Sequence, residues 1–298
     1  MAEIVGCLAM SHAPQLMLDP DQWHLLNTRD WDPLPERPEL KLETNEDRWR
    51  KWQKCQDAIA QLRDKLAELN PDTVVLVGDD QHENFREQGM PPFTVFMGEE
   101  AEASISLRYL DEKLSDNRTC YRVDSSLARW LVDQLMEEGF DPAYSLKTSY
   151  EGGLGHAFAR VLKFLTPDAS RAVVPVLVNT YYPPAPSPRR CVQFGHALRK
   201  VIAQFPESRR VLAVASGGLT HTKIVESLDH EFIKAIEDND LTYMERMAPD
   251  DLTGGSSEIR NWSVIAAMAG KAGRVIEYQP LYRTTNGVGC AMGFAHWL

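Results

Sequence analysis

Three short apolar runs constrain this chain most: Thr73–Val77, Ala172–Asn179 and Arg210–Ala215. Each is apolar at consecutive rather than alternate positions. Successive side chains of a strand point to opposite faces, so such runs must be buried on both sides. That is the pattern of a parallel sheet covered by helices. The intervening segments agree. Asn45–Leu69 reads as an amphipathic helix with Asn45 as N-cap and a stripe of Trp49, Trp52, Ile59, Leu62 and Leu66. Further helices are predicted over Ser125–Glu138, Gly155–Phe164, Cys191–Gln204, His230–Asp238 and Glu258–Ala269. Glu3–Met10 reads as a first strand, and residues 91–110 as two more. No linker, repeat or low-complexity tract divides the pattern. The expectation is a single α/β domain over residues 1–298, with a central mostly parallel or mixed sheet and helices on both faces. Residues 27–45, rich in proline and charge, are expected as a surface excursion.

Composition narrows the function. Hydrophobic residues make up 43% of the 298 and charged residues 25%, enough apolar material for one large core. A net charge of -11 speaks against nucleic acid and against an anionic membrane surface, because both need a basic face. No apolar run approaches the length of a membrane span, and the N-terminus does not read as a signal peptide. The cysteines, Cys7, Cys55, Cys120, Cys191 and Cys290, are odd in number and never spaced as CxxC, which argues against a disulfide framework or a thiolate metal site. A cytoplasmic location is expected.

The chemistry gathers where strands end. Ser11-His12-Ala13-Pro14 follows the first strand, Asp79-Asp80-Gln81-His82-Glu83-Asn84-Phe85 the second, and Ser216-Gly217-Gly218-Leu219-Thr220-His221 the run ending at Ala215. Ser256-Ser257-Glu258-Ile259 opens a helix. Strand ends in α/β folds are where side chains converge on a ligand. Each segment alone has an ordinary explanation. His12 could cap a loop, Gly217-Gly218 could be a plain turn, and Glu258 could be a first-turn carboxylate favoured by the helix dipole. Together they supply two histidines and a carboxylate for a metal with open positions, the donor set of a non-haem Fe(II) oxygenase, and one further histidine as base.

The chain resembles the class III extradiol ring-cleavage dioxygenases, the family of the catalytic β subunit of protocatechuate 4,5-dioxygenase. The resemblance runs nearly end to end. It rests on the four segments above, on Val178-Asn179-Thr180-Tyr181-Tyr182-Pro183-Pro184 with Arg190-Cys191, on Glu258 with Trp262, and on Thr285-Asn286-Gly287-Val288-Gly289-Cys290-Ala291-Met292. It implies Fe(II) as cofactor, with a small aromatic substrate and O2 as partners. His12 and Glu258 match the family's iron-ligand positions, and His221 its acid/base position. Tyr181, Tyr182 and His156 are candidates to touch substrate. Arg189, Arg190 and Arg283 are candidates to meet a substrate carboxylate.

Two positions depart from the family pattern. An ungapped match puts Gln81 where the second histidine ligand belongs, with His82 one residue later. His82 is favoured, since imidazole binds Fe(II) better than an amide oxygen, and a bulge would be needed to turn it toward the metal. Gln81 is the alternative. A mid-chain family histidine is replaced by Gly152, and His156 lies four residues on. The resemblance implies opening of a catecholic ring next to its diol, with His221 handling a proton near neutral pH. Alternatives are cleavage of a nitrogen analogue (an aminophenol or hydroxypyridone), a non-catalytic metal-binding relative, and a metal hydrolase. Some relatives need a small helical lid subunit, so such a partner or a homo-oligomer is expected.

Overall fold

The apolar runs become neighbouring strands because no other placement hides both of their faces. A computed structural model describes residues 1–26, 35–107 and 110–298. Its strands are β1 Ala2–Met10, β2 Thr73–Gly78, β3 Phe93–Phe96, β4 Glu100–Ser104, β5 Arg118–Arg122, β6 Ala143–Ser145, β7 Ala172–Val178, β8 Arg209–Ser216, β9 His221–Lys223, β10 Arg274–Tyr282 and β11 Val288–Trp297. Its helices are α1 Asn45–Leu69, α2 Ser125–Glu137, α3 His156–Leu165, α4 Pro188–Ala203, α5 Glu226–Asp238, α6 Leu241–Arg246 and α7 Ile259–Ala269. Among the described residues the main sheet runs β10-β11-β1-β8-β2-β7-β3-β6, with β9 pairing β11, and β4 and β5 form a separate pair.

The four strands β1, β8, β2 and β7 are parallel neighbours. Met10 pairs with Ser216, Val77 with Ala215 and Gly78 with Leu177, so these strands finish along one edge. Every polar segment expected at the site leaves from that edge or packs on it. The sheet is mixed, since β3 and β11 join it antiparallel. Its two faces carry separate cores. Val75, Val77, Ala213 and Ala215 pack with α2, α4, α5 and α7, while Val74, Leu76, Leu212 and Val214 pack with α1 and α3. The expected fold class is what the chain adopts.

Local chemistry sets several boundaries. Thr44, not Asn45, caps α1: its hydroxyl accepts from Asp47 N while the Asp47 carboxylate accepts from Thr44 N, a reciprocal capping box. Asn70 closes the helix in the left-handed region (φ 41°), and Pro71 follows. Residues 27–34 of the expected proline-rich excursion lie outside the described residues, and Pro38–Leu42 forms a short 3-10 turn. The strand expected to reach Leu110 stops at Ser104, and residues 108–109 are not described. The hairpin β10/β11 was not foreseen. It adds the antiparallel edge beside β1 and anchors β9, where Cys290 pairs with His221.

Helix α7 must be held firmly, because Glu258 immediately precedes it. Its partner α4 approaches through Gly195, where a Cβ would lie 2.2 Å from the Val264 carbonyl oxygen and 2.8 Å from the Ala267 Cβ. Helix propensity alone would favour Gly195→Ala by about 1 kcal/mol. Overpacking should dominate and lower stability by about 1–3 kcal/mol in urea unfolding. A stabilised variant would contradict this packing account.

Candidate metal centre and cleft

Glu258 is the centre of the site. It ends a 3-10 turn, Gly254–Glu258, and is 1% exposed. Its Oε2 accepts from Gly218 N at 2.9 Å, and its Oε1 accepts from Gln81 Nε2 at 3.1 Å. The same Oε1 lies 3.3 Å from His221 Nε2 and 3.7 Å from His12 Nε2. Gly217 makes this approach possible. It sits at φ 134°, and a Cβ there would meet the Glu258 side chain at 2.8 Å. Burial raises the Glu258 pKa, but His221 and His12 outweigh it and hold the carboxyl below its ordinary range.

Hydrogen bonding fixes the histidine tautomers. The Ser216 hydroxyl donates to the Ala157 carbonyl, so it can only accept from His12 Nδ1, 2.8 Å away. His12 therefore keeps its proton on Nδ1 and turns a free Nε2 lone pair toward Glu258. Burial, opposed by Glu258, pushes the His12 pKa down to about 3, which keeps the ring neutral. His221 donates from Nδ1 to the Leu219 carbonyl at 3.0 Å. Its Nε2 is left to gain or lose a proton beside Glu258. Burial lowers the His221 pKa, but Glu258 more than reverses this and the pKa is raised. His156 donates to Glu83 from both its backbone N and its Nδ1, at 3.1 and 3.0 Å, so its Nε2 is also free. Its ring meets that of His12 edge to face at 5.0 Å.

The second-strand segment departs from expectation. His82 does not reach Glu258. Asp80 accepts from the backbone N of Glu83 and Asn84 at 2.9 and 2.8 Å, closing a tight turn. That turn puts His82 in the left-handed region (φ 60°) and stacks its ring on Tyr182, with centroids 3.5 Å apart. No bulge returns it to the site. Gln81 takes the inward place, and so does Asp79, two residues before it on the same side. His12, Asp79 and Glu258 each offer a ligand atom within 4.8 Å of the others. Asp79 is fully buried, and its Oδ1 has no hydrogen-bond partner. Burial first, then Glu258, holds its carboxyl well above the ordinary range. Strand alternation from Gln81 would have pointed to Asp79.

These groups open on one cleft. His12, Gln81, His156, Tyr181, His221 and Glu258 line it, together with Arg160 and Arg283. Tyr182 does not. Asn179 holds the Tyr182 backbone at both ends, accepting from its N at 3.1 Å and donating to its O at 2.7 Å. Of the three candidate arginines only Arg283 is at the cleft. Arg190 donates to the Gly139 carbonyl and lies over the Phe140 ring, and Arg189 is exposed on α4.

The family described as the catalytic LigB subunit of aromatic ring-opening dioxygenase matches residues 37–293, and the chain belongs to it. A 2,3-dihydroxyphenylpropionate/2,3-dihydroxicinnamic acid 1,2-dioxygenase of Comamonas testosteroni is 32% identical over 176 residues, covering 58% of this chain and 50% of that one. A protein of the same name from Klebsiella pneumoniae subsp. pneumoniae is 30% identical over 57% of this chain and 50% of that one. The chain thus spans about half the length of these curated relatives. The crystal structure of an uncharacterized protein, JW3007, from Escherichia coli K12 has the same fold over 98% of both chains, with a TM-score of 0.53 and 14% identity.

One buried carboxyl outside the cleft holds the His221 loop. Asp229 accepts from Thr220 N and Thr220 Oγ1, each at 2.8 Å, and from the Tyr278 hydroxyl at 2.8 Å. Burial outweighs these donors and lifts its pKa to about 6. A pKa raised on folding stabilises fully below the unfolded value of 3.8 and ceases to do so as pH rises through about 6. The gap corresponds to roughly 3 kcal/mol. Relative to Asp229→Asn, the wild type should therefore lose up to about 3 kcal/mol between about pH 4 and pH 7 in urea titrations. A difference independent of pH would refute the raised pKa.

Proposed function

We propose that the chain is an Fe(II)-dependent extradiol dioxygenase that opens a catecholic ring next to its diol with both atoms of O2. The observation that carries this is the pairing of His221 Nε2 with Glu258 Oε1 at 3.3 Å, beside a neutral His12 whose Nε2 is free. The donors fit a divalent cation, since a buried, partnerless Asp79 oxygen faces a site that already holds an imidazole lone pair and a carboxylate. Bound there, Fe(II) would gather the two ring oxygens and dioxygen and carry electron density between them.

The chain's own groups do the rest. His221 takes a proton from a substrate hydroxyl onto Nε2, where Glu258 stabilises the imidazolium, and returns it later. His156, steadied by Glu83, turns a second Nε2 toward the cleft. Tyr181 lines the wall. The relatives' named substrates carry a carboxylate side chain, and Arg283 at the cleft supports a substrate of that kind here. A cytoplasmic enzyme with a homo-oligomeric or small-subunit lid completes the reading. No helix among the described residues is long and apolar enough to cross a membrane. Gln81 at the second-histidine place supports a second reading, cleavage of an aminophenol.

Oxygen uptake on a catechol and aminophenol panel tests the proposal. Uptake should vanish with chelator and return with Fe(II), and the preferred panel member decides between the readings. His221→Ala should keep the metal and slow turnover roughly 100- to 10,000-fold. Unchanged turnover would remove His221 from the mechanism, and loss of metal would make it a ligand.

A further inference from the structure

We infer that Asp79 is a metal ligand, so that this chain holds its cation with one histidine and two carboxylates, His12, Asp79 and Glu258. The inference rests on the reading above only in requiring a divalent cation at this site.

The turn after β2 sorts four polar side chains. Asp80 spends both oxygens on the backbone of residues 83 and 84. His82 lies on Tyr182, its ring parallel to within 3°. Gln81 and Asp79 point the other way, into the site. The Gln81 amide donates to Glu258 Oε1 at 3.1 Å and to Asp79 Oδ2 at 3.3 Å, and so sets the two carboxylates side by side. Its nitrogen acts as a spacer between the two carboxylates.

Asp79 remains with Oδ1 partnerless and no exposure. A buried polar atom without a partner is costly, and two adjoining buried carboxylates repel each other. A divalent cation relieves both. Across the site, the free lone pair of His12 Nε2 is already oriented by Ser216. The three ligand atoms lie within 4.8 Å of one another, a spacing that one ion can span. A neutral imidazole and two carboxylates balance a divalent charge. A set richer in oxygen than nitrogen suits Mn(II) as well as Fe(II).

Titration of chelator-treated protein with Mn(II) tests this without any turnover. Wild type and His82→Ala should bind alike, whereas Asp79→Asn should bind more than about 10-fold more weakly. Metal-free Asp79→Asn should melt no lower than metal-free wild type, yet fail to gain the Mn(II)-dependent rise in Tm. On the wild type itself, pulsed electron paramagnetic resonance of the Mn(II) form should find one directly bound imidazole nitrogen. Two bound imidazoles, loss of binding in His82→Ala, or full affinity in Asp79→Asn would overturn the inference. Mn(II) bound through Asp79 in a protein that never consumes O2 would sink the dioxygenase reading and leave this one standing. O2 uptake with two bound imidazoles would do the reverse.

Discussion

The site depends on bringing one carboxylate, that of Glu258, out of water and against the ends of four parallel strands. Burying a charge this deeply is expensive unless partners surround it. Here Gly218 N and the Gln81 amide supply hydrogen bonds, and His221 Nε2 lies 3.3 Å from Oε1. Gly218 and His221 come from the turn after β8 and Gln81 from the turn after β2, and the sheet places both turns. The tight α4–α7 contact at Gly195 and the close approach at Gly217 serve the same end, because both fix where the first turn of α7 begins.

Much of this frame could be read from the chain. Continuous apolar runs identify β2, β7 and β8, since only strands buried on both faces look like that. The helical stripe places α1 correctly, although its cap is Thr44. The β10/β11 hairpin escaped because Gly289 and Gly293 interrupt β11 and Val288 is its only β-branched residue. Val288–Phe294 is buried throughout, held in the sheet by β10, β1 and β9 and covered by α1. Within the site, His12, His221 and Glu258 were legible as polar residues at element ends, and the structure gathers them around one carboxylate oxygen.

The segment after β2 shows where such reading stops. Six consecutive polar residues, 79–84, do not say which of them face inward until one, Gln81, has been placed. Affinity for Fe(II) favours His82. The backbone decides otherwise, because the turn capped by Asp80 fixes the φ of His82 and with it the direction of its ring. Ser216, Glu83 and Asp229 were invisible for a related reason. Their work is to orient histidines and a loop, through bonds between residues 204, 73 and 9 positions apart.

The cleft is built for proton handling around a fixed anion: His221 can be charged beside Glu258, and His12 stays neutral. That division makes ring opening by dioxygen the chemistry most in keeping with the site and with the family. Turnover of a carboxylate-bearing catechol under 18O2, followed by mass spectrometry of the product, tests this most directly. The account predicts a ring-opened product carrying two oxygen-18 atoms. A product with no label or only one, or an oxidised ring left closed, would contradict it.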